Sequence, residues 1–209
     1  MSSPLRNFAY QHRWFYDMVT AISALSVGGV NRLRKLGFNA LQGKLSKGAK
    51  VLDLCCGSGE AAAPWIKAGF AVTGLDVSPQ ALALAAEHHP QLQQVEGMAE
   101  DPPLKANQFA AIQLSLALHE FNPEGRVQVL KTCLRLLQPG GWLVLVDLHP
   151  AGPCLKLPQK IFCALFETET ALLMLKTDLP NQLQELGFTH VEQKLLAGQA
   201  MQLITARLP

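Results

Sequence analysis

Charge is scarce in this chain of 209 residues. Asp, Glu, Lys and Arg together make up 16 % of it, against about 25 % in soluble domains generally. With an apolar fraction of 49 %, that scarcity excludes disorder, which needs the opposite balance. Long hydrophobic runs are lacking too, since none reaches the roughly 18 uninterrupted apolar residues of a membrane span. Trp142–Leu148 is short, and 161–175 is interrupted by Glu167 and Glu169. A charged-then-apolar signal layout is missing from the N-terminus, which predicts a cytoplasmic location. CxxC and His/Cys metal-ligand spacings are missing as well, so no metal is expected. The five cysteines read as reduced, mostly buried thiols. The adjacent Cys55-Cys56 is either a redox or metal device or a small apolar filler of a tight turn. The missing partner spacing favours the filler.

What charge there is lies unevenly. Residues 1–50 hold Arg6, Arg13, Arg32, Arg34, Lys35, Lys44, Lys47 and Lys50 against the single acid Asp17, and both tyrosines. The remainder is net acidic. Within the basic quarter, Trp14, Met18, Ala21, Ile22 and Leu25 form one face of an amphipathic helix over 10–25. Gly28-Gly29 ends it, and a second basic helix follows to Leu41.

From Lys50 onward, short apolar runs alternate with helical stretches, the pattern of a parallel sheet covered by helices. Strands are predicted at Val51–Cys55, Ala71–Asp76, Leu92–Gly97, Phe109–Ser115 and Trp142–Leu148. Helices are predicted at Glu60–Ala68, Pro79–His88 and Pro123–Leu137. Ser78 caps the second helix with Pro79 at its first position, and Gln138-Pro139-Gly140-Gly141 stops the third. Pro64 requires the first helix to begin near Ala62 or to kink there. His149–Pro158 reads as a loop, Ile161–Lys176 as a helix, and Asp178 caps another running to Leu186. Thr189–Leu196 and Ala200–Arg207 form a terminal hairpin. The expectation is an α/β fold, a Rossmann-like sheet of seven strands, parallel except for the last, with helices on both faces and an N-terminal helical cap. The cap takes 1–45 and the sheet domain 46–209, with 151–177 inserted on the substrate side.

The most informative segment is Val51-Leu-Asp-Leu-Cys-Cys-Gly-Ser-Gly-Glu60. A strand runs into a glycine turn where the backbone can approach a ligand. Asp76, closing the second strand, suits both hydroxyls of a ribose. Gly57-x-Gly59-x-x-Ala62 also fits a dinucleotide fingerprint. Glu60 and Asp53 argue against a pyrophosphate there, because like charges repel. An acidic rim suits a cationic ligand without phosphate.

Four motifs then stand in order: Val51-Leu-Asp-Leu-Cys-Cys-Gly-Ser-Gly59, Gly74-Leu-Asp-Val-Ser78, Gly97-Met-Ala-Glu-Asp101 and Leu134-Arg-Leu-Leu-Gln-Pro-Gly-Gly141. The stretch Lys50–Leu148 resembles class I S-adenosylmethionine-dependent methyltransferases. More narrowly, it is similar to the ubiquinone/menaquinone-biosynthesis C-methyltransferases. The resemblance implies S-adenosyl-L-methionine as cofactor. Asp53, Cys55, Gly57, Ser58 and Gly59 would line its methionine part, Asp76 its ribose, and Val77, Met98 and Ala99 its adenine. Ser115 would approach the reacting methyl group. An acid common in the family at the position of Met98 is absent, and Glu100 or Asp101 stands in for it.

Carbon methylation of a quinol ring also needs a base near the methyl donor. His119 and His149 follow the fourth and fifth strands, at the edge where ligands of open α/β sheets bind. Each is a candidate catalytic base, or orients a substrate oxygen. Trp14 and Tyr16 on the N-terminal arm, with Phe162 and Phe166 on the inserted helix, are candidate walls of an apolar acceptor site. The basic arm suits an anionic membrane surface, a cap over the cofactor, or both. The expected function is methylation of a small hydrophobic acceptor such as a quinol or lipid-like ring. Three other readings stand beside it: a catalytically inactive cofactor-binding partner subunit, an RNA methyltransferase and an NAD-dependent oxidoreductase. The net-acidic core, with little aromatic-basic interleaving, argues against nucleic acid.

Overall fold

The computed structural model describes residues 28–166 and 169–209, the last three of the first stretch by backbone alone. The predicted helix over 10–25 lies outside them. Seven strands form one sheet: β1 (Lys50–Leu54), β2 (Ala71–Asp76), β3 (Gln93–Glu96), β4 (Phe109–Ser115), β5 (Leu137–Leu148), β6 (Thr189–Leu196) and β7 (Met201–Arg207). Their spatial order is β3-β2-β1-β4-β5-β7-β6. The pairs through β5 are parallel, and β7 runs antiparallel to both its neighbours. The expected architecture is the one observed. The order reverses between β1 and β4, and ligands of such sheets bind at that switch point, outside the carboxyl ends of the strands.

The helices are α1 (Val30–Arg34), α2 (Leu36–Leu41), α3 (Ala63–Lys67), α4 (Pro79–His88), α5 (Pro123–Leu136), α6 (Lys156–Phe166), α7 (Glu169–Met174) and α8 (Leu179–Glu185). Ser78 Oγ accepts the Ala81 N–H at 3.2 Å and Asp178 Oδ1 the Asn181 N–H at 3.1 Å, so both predicted caps are formed. Asn122 Oδ1 caps α5 by accepting the Gly125 N–H at 2.7 Å. α3 starts at Ala63, as Pro64 allows.

Several boundaries differ from expectation, and the predicted helical piece up to Leu41 breaks at Lys35 into α1 and α2. The Pro-Gly-Gly segment does not separate α5 from β5, because β5 already begins at Leu137, opposite Phe109. The predicted helix 161–176 begins earlier, at Lys156, and a second helix begins at Glu169. Pro158 sits in the first turn of α6, where its missing N–H costs no intrahelical bond.

Side chains alternate across each strand, and the sheet therefore has two cores. Leu52, Leu54, Ile112, Leu143 and Leu145 face α5 through Val129, Leu130 and Leu136. Val51, Val72, Ala111 and Val144 face Leu41 and the fully buried Trp65. Phe38 and Phe70 meet the Trp65 ring edge-on, at centroid distances of 5.3 and 5.2 Å. Asp53 and Gln113 continue the Trp65 face by this alternation, and Asp147 continues the α5 face. Among the described residues no helix is long and apolar enough to cross a membrane.

Candidate active site

The chain leaves β1 through a strained corner. Cys55 has φ of 63°, and Gly57 and Gly59 have φ of 52° and 79°. A non-glycine residue in this left-handed region costs of order 1–3 kcal/mol and clusters at functional sites. A second such residue, Leu116 at 56°, follows β4 next door. The two loop glycines differ in purpose. A Cβ on Gly59 would meet His89 Cδ2 at 3.0 Å and Leu92 Cδ2 at 3.1 Å, so this glycine lets the loop pack under α4. A Cβ on Gly57 would meet nothing within 4 Å. Its backbone faces an open cradle.

Three carboxylates stand around this loop. Asp76 Oδ2 accepts the Gly57 N–H at 2.8 Å, and Oδ1 accepts the Ser78 N–H at 2.9 Å. Both oxygens keep a lone pair for further donors. Asp53 is 1 % exposed. Its Oδ1 accepts Gln113 Nε2 at 3.1 Å, while Oδ2 is buried with no partner. Burial pushes its carboxyl up to about 7; the Gln113 hydrogen bond opposes this and Asp76 adds to it. Glu60 pairs with Arg34 Nη1 at 2.9 Å and lies 3.7 Å from His88 Nδ1. Its charge is thus offset, which removes it from the case against a pyrophosphate.

Gln113, which the sequence reading did not single out, organises this corner. It accepts from Trp65 Nε1 at 3.0 Å and donates to Asp53 and, at 3.2 Å, to the Ala61 carbonyl. A Cβ on Gly37 would lie 2.2 Å from Gln113 Oε1, so α2 packs directly on the amide. The described part of the basic segment thereby buttresses the loop from within the sheet's packing. A lone polar residue inside a buried strand was the available signal.

Val77 and Met98 follow the paired strands β2 and β3 and are 65 % and 60 % exposed, unusually high for large apolar side chains. Ala99 is buried. The Glu100 carbonyl accepts Thr132 Oγ1 at 2.6 Å, tying this loop to α5. Ser58 and Ser115 are half-buried at the same edge. Burial pushes the Cys55 thiol up to about 12, with Asp76, Asp53, Glu100 and Asp147 acting the same way. Burial raises the Cys56 thiol too. Both stay protonated and poorly nucleophilic, in keeping with the filler reading.

His119 and Asp147 form a buried pair on the α5 side. His119 Nδ1 lies 2.6 Å from Asp147 Oδ1, and the residues are 6 % and 1 % exposed. Asp147 Oδ2 accepts the Leu118 and His119 N–H groups at 2.8 and 3.3 Å, and Oδ1 accepts the Leu148 N–H at 2.7 Å. Glu120 Oε1 is 3.6 Å from His119 Nε2. On α5, Arg126 is 1 % exposed and donates to Met174 Sδ at 3.0 Å and Thr177 Oγ1 at 3.3 Å. Burial pulls its guanidinium down, against the attraction of Asp147 and Glu124. No sequence motif pairs Asp147 or Arg126 with a site.

His149 is used differently. Its Nδ1 lies 2.9 Å from the Pro150 carbonyl and 2.8 Å from that of Gln199, stapling the loop after β5 to the terminal hairpin. Phe162 is half-buried on α6. The Phe166 side chain, Trp14 and Tyr16 lie outside the described residues.

Residues 51–141 match a family model described as a methyltransferase domain. An uncharacterized methyltransferase of Synechocystis sp. is 42 % identical over 99 % of this chain and 97 % of its own length. A demethylmenaquinone methyltransferase of Chlorobaculum tepidum is 29 % identical over 79 % of this chain and 67 % of its own. Among solved structures, phosphoethanolamine N-methyltransferase 2 of Haemonchus contortus, in complex with S-adenosyl-L-methionine, superposes with a TM-score of 0.71. It is 15 % identical over 98 % of this chain and 60 % of that one, a likeness of fold.

Proposed function

Because the chain belongs to the S-adenosylmethionine-dependent methyltransferase family, we propose that it methylates a small hydrophobic acceptor, a quinol or lipid-like ring. The observation that carries the cofactor part is the pairing of an unpartnered buried oxygen, Asp53 Oδ2, with the open cradle at Gly57. A cation without phosphate fits this set, and a pyrophosphate does not. In this reading Asp53, Cys55 and Gly57 to Gly59 hold the methionine part, with its ammonium toward Asp53. Asp76 accepts the ribose hydroxyls. Val77 and Met98 pack on the adenine, whose edge is read by the Ala99 backbone and Glu100. S-adenosylmethionine supplies an electrophilic methyl group on a sulfonium, and the leaving product is a neutral thioether.

Alignment is then the protein's main contribution, worth roughly 7–11 kcal/mol for well-oriented reactants. Ser115 stands at the reacting end of the cofactor, and His119 takes a proton from the acceptor. His149 orients the loop behind them. The quinol part of the proposal draws on the demethylmenaquinone relative and on the apolar insertion 151–177, where Phe162 and Phe166 would wall the acceptor. Residues 1–45 serve as the cap, with Trp14 and Tyr16 toward the acceptor. Their positive charge would bring this face to an anionic membrane surface.

Calorimetric titration with S-adenosylhomocysteine tests the cofactor site. Micromolar binding is expected, weakened about 100-fold by Asp76→Ala, the cost of roughly two charge-assisted hydrogen bonds. Absence of binding, or binding undiminished in the variant, would overturn the proposal. So would tight binding of NADH.

A further inference from the structure

We infer that Asp147 is a positioning residue that holds His119 as the general base for an acceptor whose reacting group is a weakly acidic hydroxyl, a phenol or enol. This rests on the methyltransferase reading above and narrows the acceptor class.

The geometry runs from the carboxylate outward. Asp147 is almost fully buried and receives three backbone N–H groups, from Leu118, His119 and Leu148. These bonds fix its plane and use both of its oxygens as acceptors. An ionised carboxylate only accepts, so the 2.6 Å contact requires the hydrogen to sit on His119 Nδ1. The neutral ring then carries its lone pair on Nε2. Two of the three N–H groups belong to the turn bearing His119 itself (Leu118–Glu120), so one carboxylate sets both the backbone and the ring. A buried carboxylate beside a histidine is costly to keep.

Among the described residues, the charged groups recorded against the ring are Asp147 from β5 and Glu120 on its own turn, with Oε1 3.6 Å from Nε2; Arg126 on α5 is the cation attracted to Asp147. The sheet register puts the pair near the cofactor loop: Asp53 of β1 lies opposite Gln113 of β4, and Gln113 opposite Val144 of β5, so Cys55 and Asp147 leave the sheet at the same edge on either side of β4. A neutral amine attacks a methyl group without losing a proton first, whereas a phenol is a strong nucleophile only as its anion. A held base is therefore a device for hydroxyl acceptors. The hydroxyl proton passes to Nε2, giving an imidazolium stabilised by Asp147. The freed electron pair forms the new bond to the methyl carbon, through the oxygen or a conjugated ring carbon. The methyl–sulfur bond breaks with its electrons left on sulfur. When carbon is the nucleophile, its own proton leaves afterwards and restores the aromatic ring.

The first test needs no variant. Nitrogen-15 NMR of histidine-labelled protein, with His119 assigned through His119→Gln, should show the neutral ring protonated on Nδ1 alone. A ring protonated on Nε2 overturns the role of Asp147. The second test uses Asp147→Asn with 1,4-naphthohydroquinone, its more acidic ring-fluorinated analogues and ethanolamine as probe acceptors. At about pH 7 the variant should lose about 100-fold or more in turnover of the hydroquinone, the usual worth of a positioned base. That loss should shrink toward about pH 10, where a phenol ionises unaided, and with the fluorinated probes. S-adenosylhomocysteine affinity should be kept. A loss equal at every pH and for every phenol marks a structural role and overturns the inference, as does wild-type turnover in the variant. Wild-type methylation of ethanolamine but of no phenol overturns the acceptor class. Failure of the wild type to bind S-adenosylhomocysteine would instead overturn the methyltransferase reading, and the ring tautomer then decides the role of Asp147 by itself.

Discussion

Asp53→Asn isolates the electrostatic cost built into the cofactor corner. The folded carboxyl ionises near pH 7 because burial disfavours its charge, against an ordinary value of 3.8. A group whose folded pKa is raised contributes stability that is fully present below the unfolded value and is lost as pH rises through the folded one. The window here is about pH 4 to 7. The gap is worth about 4 kcal/mol in all, at about 1.4 kcal/mol per pH unit. Of that, about 3 kcal/mol falls between pH 5 and pH 8. Asparagine keeps the shape and still accepts from Gln113 but cannot ionise, so it lacks this loss. The stability of the variant minus that of the wild type should therefore climb by about 3 kcal/mol between pH 5 and pH 8. Other titrations, histidines included, are common to both proteins and cancel. Urea denaturation at several pH values reads the difference. Binding should show the converse. A ligand ammonium supplies the missing partner and drives Asp53 to ionise, so wild-type affinity for S-adenosylhomocysteine rises with pH up to about 7 and a proton is released. Calorimetry in buffers of different ionisation enthalpy counts that proton, and the variant should release none. Parallel stability curves, or equal proton release from the two proteins, would refute the reasoning.

Other substitutions separate folding from binding. Gly57→Val adds a side chain into open space, so the fold should survive a backbone strain of roughly 1–2 kcal/mol while calorimetry finds cofactor binding abolished. Gly37→Ala should do the reverse of a surface change. Its Cβ would collide with Gln113 Oε1, and denaturation should show a loss of about 1–3 kcal/mol from the disturbed hydrogen bonds. Gln113→Leu strands both Trp65 Nε1 and Asp53 Oδ1, for an expected loss of about 2–4 kcal/mol by chemical denaturation. Trp65→Ala empties the centre of the second core and should cost about 3–5 kcal/mol on the same measurement.

Much of the fold was legible in the sequence because it depends on local patterns. β4 reads as Phe-Ala-Ala-Ile-Gln-Leu-Ser and is buried to its last residue, the mark of a central parallel strand. Ser78-Pro79 announces α4 through a cap that is a contact between near neighbours. The boundaries that moved were decided at longer range. Leu137 becomes strand because Phe109 lies opposite it, and residues 138–141 bulge out of the pairing with β4, which resumes at Trp142. Of the site, the glycine turn and Asp76 could be read, since their spacing follows from strand and helix lengths. Gln113 could not, because its role depends on Trp65, Asp53 and Gly37 converging from three other elements.

The sequence by itself determined the order of strands and helices, the place of the ligand loop, the uneven charge and the candidate histidines at the sheet edge. Tertiary structure alone decided what those groups are chemically. Burial left one oxygen of Asp53 without a partner, Arg34 offset Glu60, and Asp147 met His119 across a gap of 28 residues in the chain. Periodicity reports which face a residue takes, because that is a property of the backbone. Solvation and hydrogen-bond partners come from atoms brought together by folding, and no spacing along the chain encodes them.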